Sequence, residues 1–176
     1  MSLKEEREQM FDGRFDHNLD DKGRFLVPIQ YRKLISDGEW YAIRSQNDRA
    51  IEVYPKTQGL ALKKKIEKIS AAEASGPRLK VILWMKRIAK ESKEIKIDNQ
   101  NRMLLPKYMR KWAEINDEAV IIGTDRGCFE VWNSTVYDET MDKDFFELEG
   151  REDIIGDLNI SLDLPVVETD EGITGE

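Results

Sequence analysis

The stretch from Asp20 to Tyr54 lies, without a gap, over the stretch from Asp98 to Trp132, an offset of 78 residues. Nine of the 35 superposed positions are identical: Asp20 with Asp98, Arg24 with Arg102, Leu26 with Leu104, Pro28 with Pro106, Arg32 with Arg110, Lys33 with Lys111, Ile43 with Ile121, Glu52 with Glu130 and Val53 with Val131. An internal repeat fixes the unit of folding before any element is assigned. Whatever one copy forms, the other must form too. Two small units that each bury one face need one another to close a core, which predicts one pseudo-symmetric domain.

Within each copy the pattern reads as a hairpin first. Phe15, His17 and Leu19 alternate into a polar turn, with Phe25 and Val27 beyond it; Ile95 and Ile97 lead likewise into Met103 and Leu105. Gly23 suits a turn position of positive φ, and Asn101, its repeat mate, is the next-best residue there. Pro28 and Pro106 end the second strand and open a short helix, Tyr31 to Ile35 in one copy and Tyr108 to Ile115 in the other. Two further strands follow in each copy, joined by turns at Asn47 to Arg49 and Asp125 to Gly127. Leu62, Ile66 and Ile69 then fall at helical spacing. Ser75, Gly76 and Pro77 break the chain before a second helix carrying Leu79, Ile82, Leu83 and Trp84, and another helix is expected from Ser134 toward Leu148.

Composition matters mainly for what it excludes. With 176 residues, 40% hydrophobic and 36% charged, the chain reads as a soluble folded protein. Its apolar stretches are too short to span a bilayer, and its first ten residues lack a signal peptide's apolar core, which predicts a cytoplasmic location. One cysteine, Cys128, and one histidine, His17, leave no intramolecular disulfide and no His/Cys zinc site. Cys128 is expected to be a small buried residue and His17 a structural strand residue. Without a phosphate loop or nucleophile elbow, no enzyme, cofactor, metal or small-molecule substrate is expected. The net charge of −7 is very uneven: 26 Lys+Arg stand against 21 Asp+Glu up to Tyr137, and 2 against 14 from Asp138 onward. The acidity belongs to the C-terminus, and past Arg151 the composition predicts disorder, with a short strand over Leu158 to Leu164 as the alternative.

The segment Met10 to Leu34, MFDGRFDHNLDDKGRFLVPIQYRKL, followed by Ile95 to Trp112, IKIDNQNRMLLPKYMRKW, resembles the MraZ family of the AbrB-like swapped-hairpin superfamily. The resemblance covers Met10 to Leu148. It implies an α+β fold: a duplicated AbrB/MazE-like swapped-hairpin β-barrel of two pseudo-symmetric ββαββ-type halves, with helices after each copy. The corresponding divisions are 1–9 as a charged extension, 10–76 as the first repeat, 77–92 as a connecting basic helix, 93–148 as the second repeat and 149–176 as an acidic tail. The resemblance further implies a cytoplasmic, nucleoid-associated transcription regulator. Its partner would be double-stranded DNA, at short direct repeats upstream of the division and cell-wall gene cluster and its own gene, usually as a repressor, and it would assemble with itself into a ring. An antitoxin-like or scaffold module of the same superfamily is the alternative.

In that family the hairpins with the Asp-x-x-x-Arg motif face DNA, here Asp20 to Arg24 and Asp98 to Arg102. Arg24 and Arg102 are the expected DNA contacts, to a phosphate or to a guanine edge, against the competing reading of a surface Arg paired with its own Asp. Lys22 and Arg14 are further candidate phosphate contacts. Asp20 and Asp98 would repel phosphate, so they are expected to cap the turn or orient the Arg, with Gly23 supporting the first turn. The second motif lacks the Lys and Gly of the first, which makes it the weaker candidate. Arg32 and Arg110 read equally as structural ion pairs or DNA contacts. The basic run from Lys63 to Lys96 reads first as a solvated helix face, with a second electrostatic surface as the alternative.

Overall fold

A computed structural model describes residues 11–34, 38–71 and 76–148. The elements run β1 (Arg14–Asn18), β2 (Arg24–Leu26), α1 (Ile29–Leu34), β3 (Glu39–Arg44), β4 (Ile51–Pro55), α2 (Lys56–Ser70), α3 (Pro77–Glu91), β5 (Lys93–Lys96), β6 (Arg102–Leu104), α4 (Lys107–Trp112), β7 (Glu118–Gly123), β8 (Phe129–Trp132) and α5 (Ser134–Leu148). The chain divides between Glu139 and Thr140 into two units, and the second contributes only the end of α5 to the described residues. The expected extension over residues 1–9, the strand over Leu158 to Leu164 and the tail lie outside the described residues. None of the described helices is long and apolar enough to cross a membrane.

The fold is mixed α+β, and its antiparallel pairing joins the two copies. Six strands form one sheet in the order β1-β7-β8-β4-β3-β5, and β2 with β6 form a separate two-stranded ribbon. The first strand of each copy pairs with the other copy: β1 lies on β7, with His17 opposite Ala119, and β5 lies on β3, with Ile95 opposite Trp40. In the ribbon Phe25 faces Met103, and on the sheet Glu52 faces Glu130. In both of these pairs a residue sits opposite its own repeat mate, so a local two-fold relation holds at both places.

Strand periodicity sorts side chains between two faces. Trp40, Ala42, Ile51, Val53, Ile121, Phe129 and Val131 point into the main core, where Phe25, Val27, Met103 and Leu105 from the ribbon and Tyr31 and Met109 from the short helices cover them. Tyr31 stacks on Phe129 with centroids 5.2 Å apart, and Phe11 meets Tyr31 edge-on at 5.1 Å. Tyr41, Ile43 and Tyr54 point the other way, against Ile66, Ile88 and Ala89 of α2 and α3, with Cys128 buried among them. The sheet residues met by α3 are therefore covered by its C-terminal half, which is tied to β5. Leu79 and Leu83, taken from the periodicity as its apolar face, are 43% and 55% exposed.

Three expectations require correction. Among the described residues neither copy pairs its first two strands as the expected hairpin: β1 lies on β7 and β5 on β3, while β2 and β6 leave the sheet after the turn and pair with each other over the core, with Ile97 and Met103 making one isolated bridge. The gapless superposition matches Ile43 with Ile121, yet Ile121 shares the main core with Ala42, while Ile43 lies on the opposite face. The second copy holds one extra residue before β7 and one fewer after it: Ser45 N–H bonds Ala50 carbonyl around the first turn, Thr124 N–H bonds Cys128 carbonyl around the second. A one-residue slip turns every side chain to the wrong face, so burial dictates the gap. The helix expected to reach Ile115 stops at Trp112 instead. Glu114 takes φ 59°, with Glu114 N–H on Lys111 carbonyl and Ile115 N–H on Arg110 carbonyl, the pattern of a Schellman stop.

The segment before β1 is fixed by close backbone packing. Tyr31 hydroxyl donates to Asp12 carbonyl at 2.8 Å, and Gly123 N–H donates to Gly13 carbonyl at 2.9 Å. A Cβ on Gly123 would stand 2.4 Å from Asp12 backbone N. Gly123→Ala is therefore expected to lower the urea midpoint by the equivalent of about 1–3 kcal/mol, since backbone must move to admit a methyl. An unchanged midpoint would show that the segment is not held there.

On the sheet's second two-fold pair, Glu52 and Glu130 are buried side by side. Tyr54 hydroxyl donates to Glu52 Oε2 at 2.8 Å and Trp132 Nε1 to Glu130 Oε2 at 2.9 Å, again repeat mates. Arg126 bridges the remaining oxygens, at 3.1 Å from Glu52 Oε1 and in contact with Glu130 Oε1. Burial raises the Glu130 carboxyl above its ordinary 4.5; the Trp132 bond and Arg126 oppose this, and Glu52 and Asp48 add to it. Between the unfolded and the raised folded value the folded state binds the extra proton, so stability falls as pH rises through that window. Acidification from neutral toward pH 5 is therefore expected to raise the melting temperature of wild type relative to that of Glu130→Gln, a comparison in which the opposite contribution of the desolvated His17 cancels. A difference between the two that does not change with pH would contradict this.

Candidate nucleic-acid interface

The two Asp-x-x-x-Arg turns are built alike. Asp20 N–H bonds Arg24 carbonyl at 2.9 Å and Gly23 N–H returns to Asp20 carbonyl; in the second copy Asp98 and Arg102 repeat the first bond at 2.8 Å, and Asn101 N–H returns to Asp98. The left-handed position falls on Gly23, φ 77°, and on Asn101, φ 62°. Each aspartate divides its oxygens. Oδ1 of Asp20 accepts the backbone N–H groups of Lys22 and Arg24, and Oδ1 of Asp98 those of Gln100 and Arg102. Oδ2 takes the guanidinium of its own motif, Arg24 Nε at 2.7 Å and Arg102 Nε at 2.9 Å.

Because β2 lies on β6, the two motifs also meet each other. Arg24 Nη1 reaches Asp98 Oδ2 at 3.3 Å, and Arg102 Nη1 reaches Asp20 Oδ2 at 3.5 Å. The result is a crossed quartet of two Arg and two Asp, formally neutral, with the Arg side chains 21% and 29% exposed. Bonds from Arg24, side chain first and backbone second, hold the Asp20 carboxyl at about 2. The Asp98 carboxyl is likewise lowered, by the backbone and side chain of Arg102. Both carboxylates stay ionised at any physiological pH. Each guanidinium carries five N–H donors, so the quartet leaves some on each Arg for an outside acceptor.

The ribbon's outer face alternates with its inner one. Phe25 and Met103 point into the core, while Arg24, Leu26, Arg102 and Leu104 share the outside, Leu26 at 46% exposure and Leu104 at 45%. Val27 N–H donates to Asn101 carbonyl, fastening the end of one hairpin to the turn of the other. Arg32 Nε holds Val27 carbonyl at 3.0 Å and Arg110 Nε holds Leu105 carbonyl at 3.2 Å, so both of these repeated arginines brace the chain before the proline. The Arg110 guanidinium also packs at Gly23, where an added Cβ would stand 2.1 Å from its Nη1.

Lys22 is exposed on the first turn. Arg14 is at the other end of β1, away from that turn. It is paired with Asp138 at 2.7 Å and Asp16 at 3.1 Å and lies over the Tyr137 ring. His17 lines a shallow hollow with Arg14, Asp138 and Glu118, and desolvation holds its imidazole below the ordinary value. No cluster of metal-ligating side chains occurs among the described residues.

One feature of the surface was not visible in the sequence. Beside β6, an open groove of about 350 Å³ is lined by Lys93, Lys96, Lys107 and Arg110 with Leu104, and by Glu94, which Lys56 holds at 3.0 Å. The lysines come from β5 and the start of α4. They converge only because the chain returns from the ribbon past β5, and no local motif encodes that.

Comparisons with known proteins agree with the duplication. A family model described as "MraZ protein, putative antitoxin-like" matches the chain twice, over residues 10–80 and 88–152. A transcriptional regulator MraZ of Corynebacterium jeikeium is 34% identical over 125 residues, 71% of this chain and 82% of that protein. One from Roseiflexus castenholzii is 30% identical, over 70% of this chain and 81% of its own length. Another, from Finegoldia magna, is 26% identical and is matched along 100% of its length by 86% of this chain.

Proposed function

The chain belongs to the MraZ family, and from that premise we propose that it is a sequence-specific DNA-binding transcription regulator that meets DNA with the outer face of the β2/β6 ribbon. The observation that carries this reading is the crossed quartet on that face: two motifs, distant in sequence, present their guanidinium groups side by side on an uncovered ribbon. A two-stranded antiparallel ribbon fits the major groove. Arg24 and Arg102 are its central contacts, with Lys22 beside them; Asp20 and Asp98 hold the two Arg in place, and Gly23 admits Arg110 against the turn. Arg14 contributes least, since its charge is already met by two aspartates on the far end of β1.

The neutral quartet also defines a division of labour. Phosphate attraction sets affinity and base edges set specificity. Held Arg groups suit the second task, because their orientation is fixed before binding. The finer parts of the reading follow the family resemblance: repression at direct repeats before the division and cell-wall cluster and the chain's own gene, nucleoid association in the cytoplasm, and assembly into a ring that sums several modest contacts. The cross-copy pairing of β1 with β7 and β5 with β3 supports a swapped-hairpin barrel, divided at 10–76, 77–92 and 93–148.

The test is a gel-shift and footprint on the DNA upstream of the protein's own coding sequence. Protection of repeated elements in one orientation, resistant to unrelated competitor DNA, is the expected result. Failure to shift that DNA at low salt would overturn the reading.

A further inference from the structure

We propose that the groove beside β6 is a DNA-backbone track in which Lys93 and Lys107 contact phosphates of one strand, making the second repeat the half of the molecule that grips while the ribbon reads. This rests on the DNA-binding reading above. Lys93 and Lys107 are both exposed and make no ion pair among the described residues, unlike Lys96, which is 3.4 Å from Glu39. The one carboxylate in the groove, Glu94, is already engaged by Lys56. A concave surface in which one sign of charge predominates concentrates its field and attracts the opposite charge.

The groove is also continuous with the proposed reading face. Leu104 belongs to both its wall and the ribbon's outer face, and Arg110 runs from the groove to Gly23 at the first turn, next to Lys22. A strand lying along Lys93 and Lys107 would therefore pass the ribbon edge toward Lys22. The first repeat has no counterpart. By the offset of 78, Lys93 corresponds to Phe15, Lys96 to Asn18 and Lys107 to Ile29. Ile29 is 60% exposed in the place where the second copy carries a lysine. The ribbon's two-fold relation is thus broken electrostatically, and that asymmetry gives the protein one preferred direction on DNA.

The experiment measures affinity for the upstream duplex across a salt series for the full chain, for Lys93→Gln with Lys107→Gln, and for Lys64→Gln with Lys65→Gln on α2 as an equal change of charge elsewhere. Each phosphate contact adds about 0.9 to the slope of log affinity against log salt. The groove variant is expected to bind at least roughly tenfold more weakly at low salt, with a slope shallower by about 2 and the same footprint; the α2 variant should match wild type. If wild type binds and the groove variant keeps the wild-type slope, the track is wrong while the DNA-binding reading stands. Equal losses in both variants mean diffuse charge attraction and also overturn the track. Should wild type ignore the duplex at low salt, the DNA-binding reading falls, and the track with it.

Discussion

Replacing Arg126 with alanine is expected to destabilise the protein by about 3–5 kcal/mol, the range for stranding buried charge by removing its partner. The side chains of Glu52 and Glu130 are 5% and 9% exposed and stand directly opposite each other across β4 and β8. Like charges so placed repel. Tyr54 and Trp132 supply one hydrogen bond to each carboxylate, and Arg126 is the cation that bridges them. Without it one carboxylate must take a proton, so the loss should shrink as pH falls. Arg126→Ala combined with Glu130→Gln should recover much of the loss, because the amide keeps an acceptor for Trp132 and removes the repulsion. A loss under about 1 kcal/mol in urea at neutral pH, typical of exposed ion pairs, would show that the bridge adds nothing to the fold.

Arg126 also marks where sequence reading stops. The duplication, the strands, the tight turns at Gly23 and Asn101 and the helices opened by Pro28 and Pro106 were all legible, because each follows from local pattern: alternation, turn residues, a ring that fixes φ. Partner choice was not. Alternation at Phe15 and His17 says which side chains face inward, yet nothing in it says that β1 will lie on β7 of the other copy. The superposition itself misled at Ile43, since identity at a gapless position outweighed a compensated insertion and deletion that only burial reveals. Glu52 and Glu130 appeared as one more matched pair, and their burial was invisible because their repeat mates' neighbour, Arg126, corresponds to the acidic Asp48. The same holds for the motif: Asp20 beside Arg24 is readable, but the crossing of Arg24 to Asp98 depends on the ribbon pairing.

That crossing determines what Arg24→Ala and Arg102→Ala should do. The quartet is partly solvated, so its loss should change folding little. Binding should suffer twice: a donor to DNA disappears, and a carboxylate loses the cation that covers it beside a polyanion. A bidentate Arg contact discriminates by roughly 5- to 150-fold, so each single variant is expected to bind at least about tenfold more weakly. The Arg24→Ala, Asp20→Ala pair separates the two causes: recovery would assign the loss to the bare carboxylate, and continued weakness assigns it to the missing contact.

The most direct measurement is therefore the affinity of wild type, Arg24→Ala and Arg102→Ala for the protein's own upstream DNA across a salt series. The ribbon reading predicts weaker binding for both variants at every salt concentration, with melting temperatures close to wild type. Binding as tight as wild type by both variants throughout the series would contradict it.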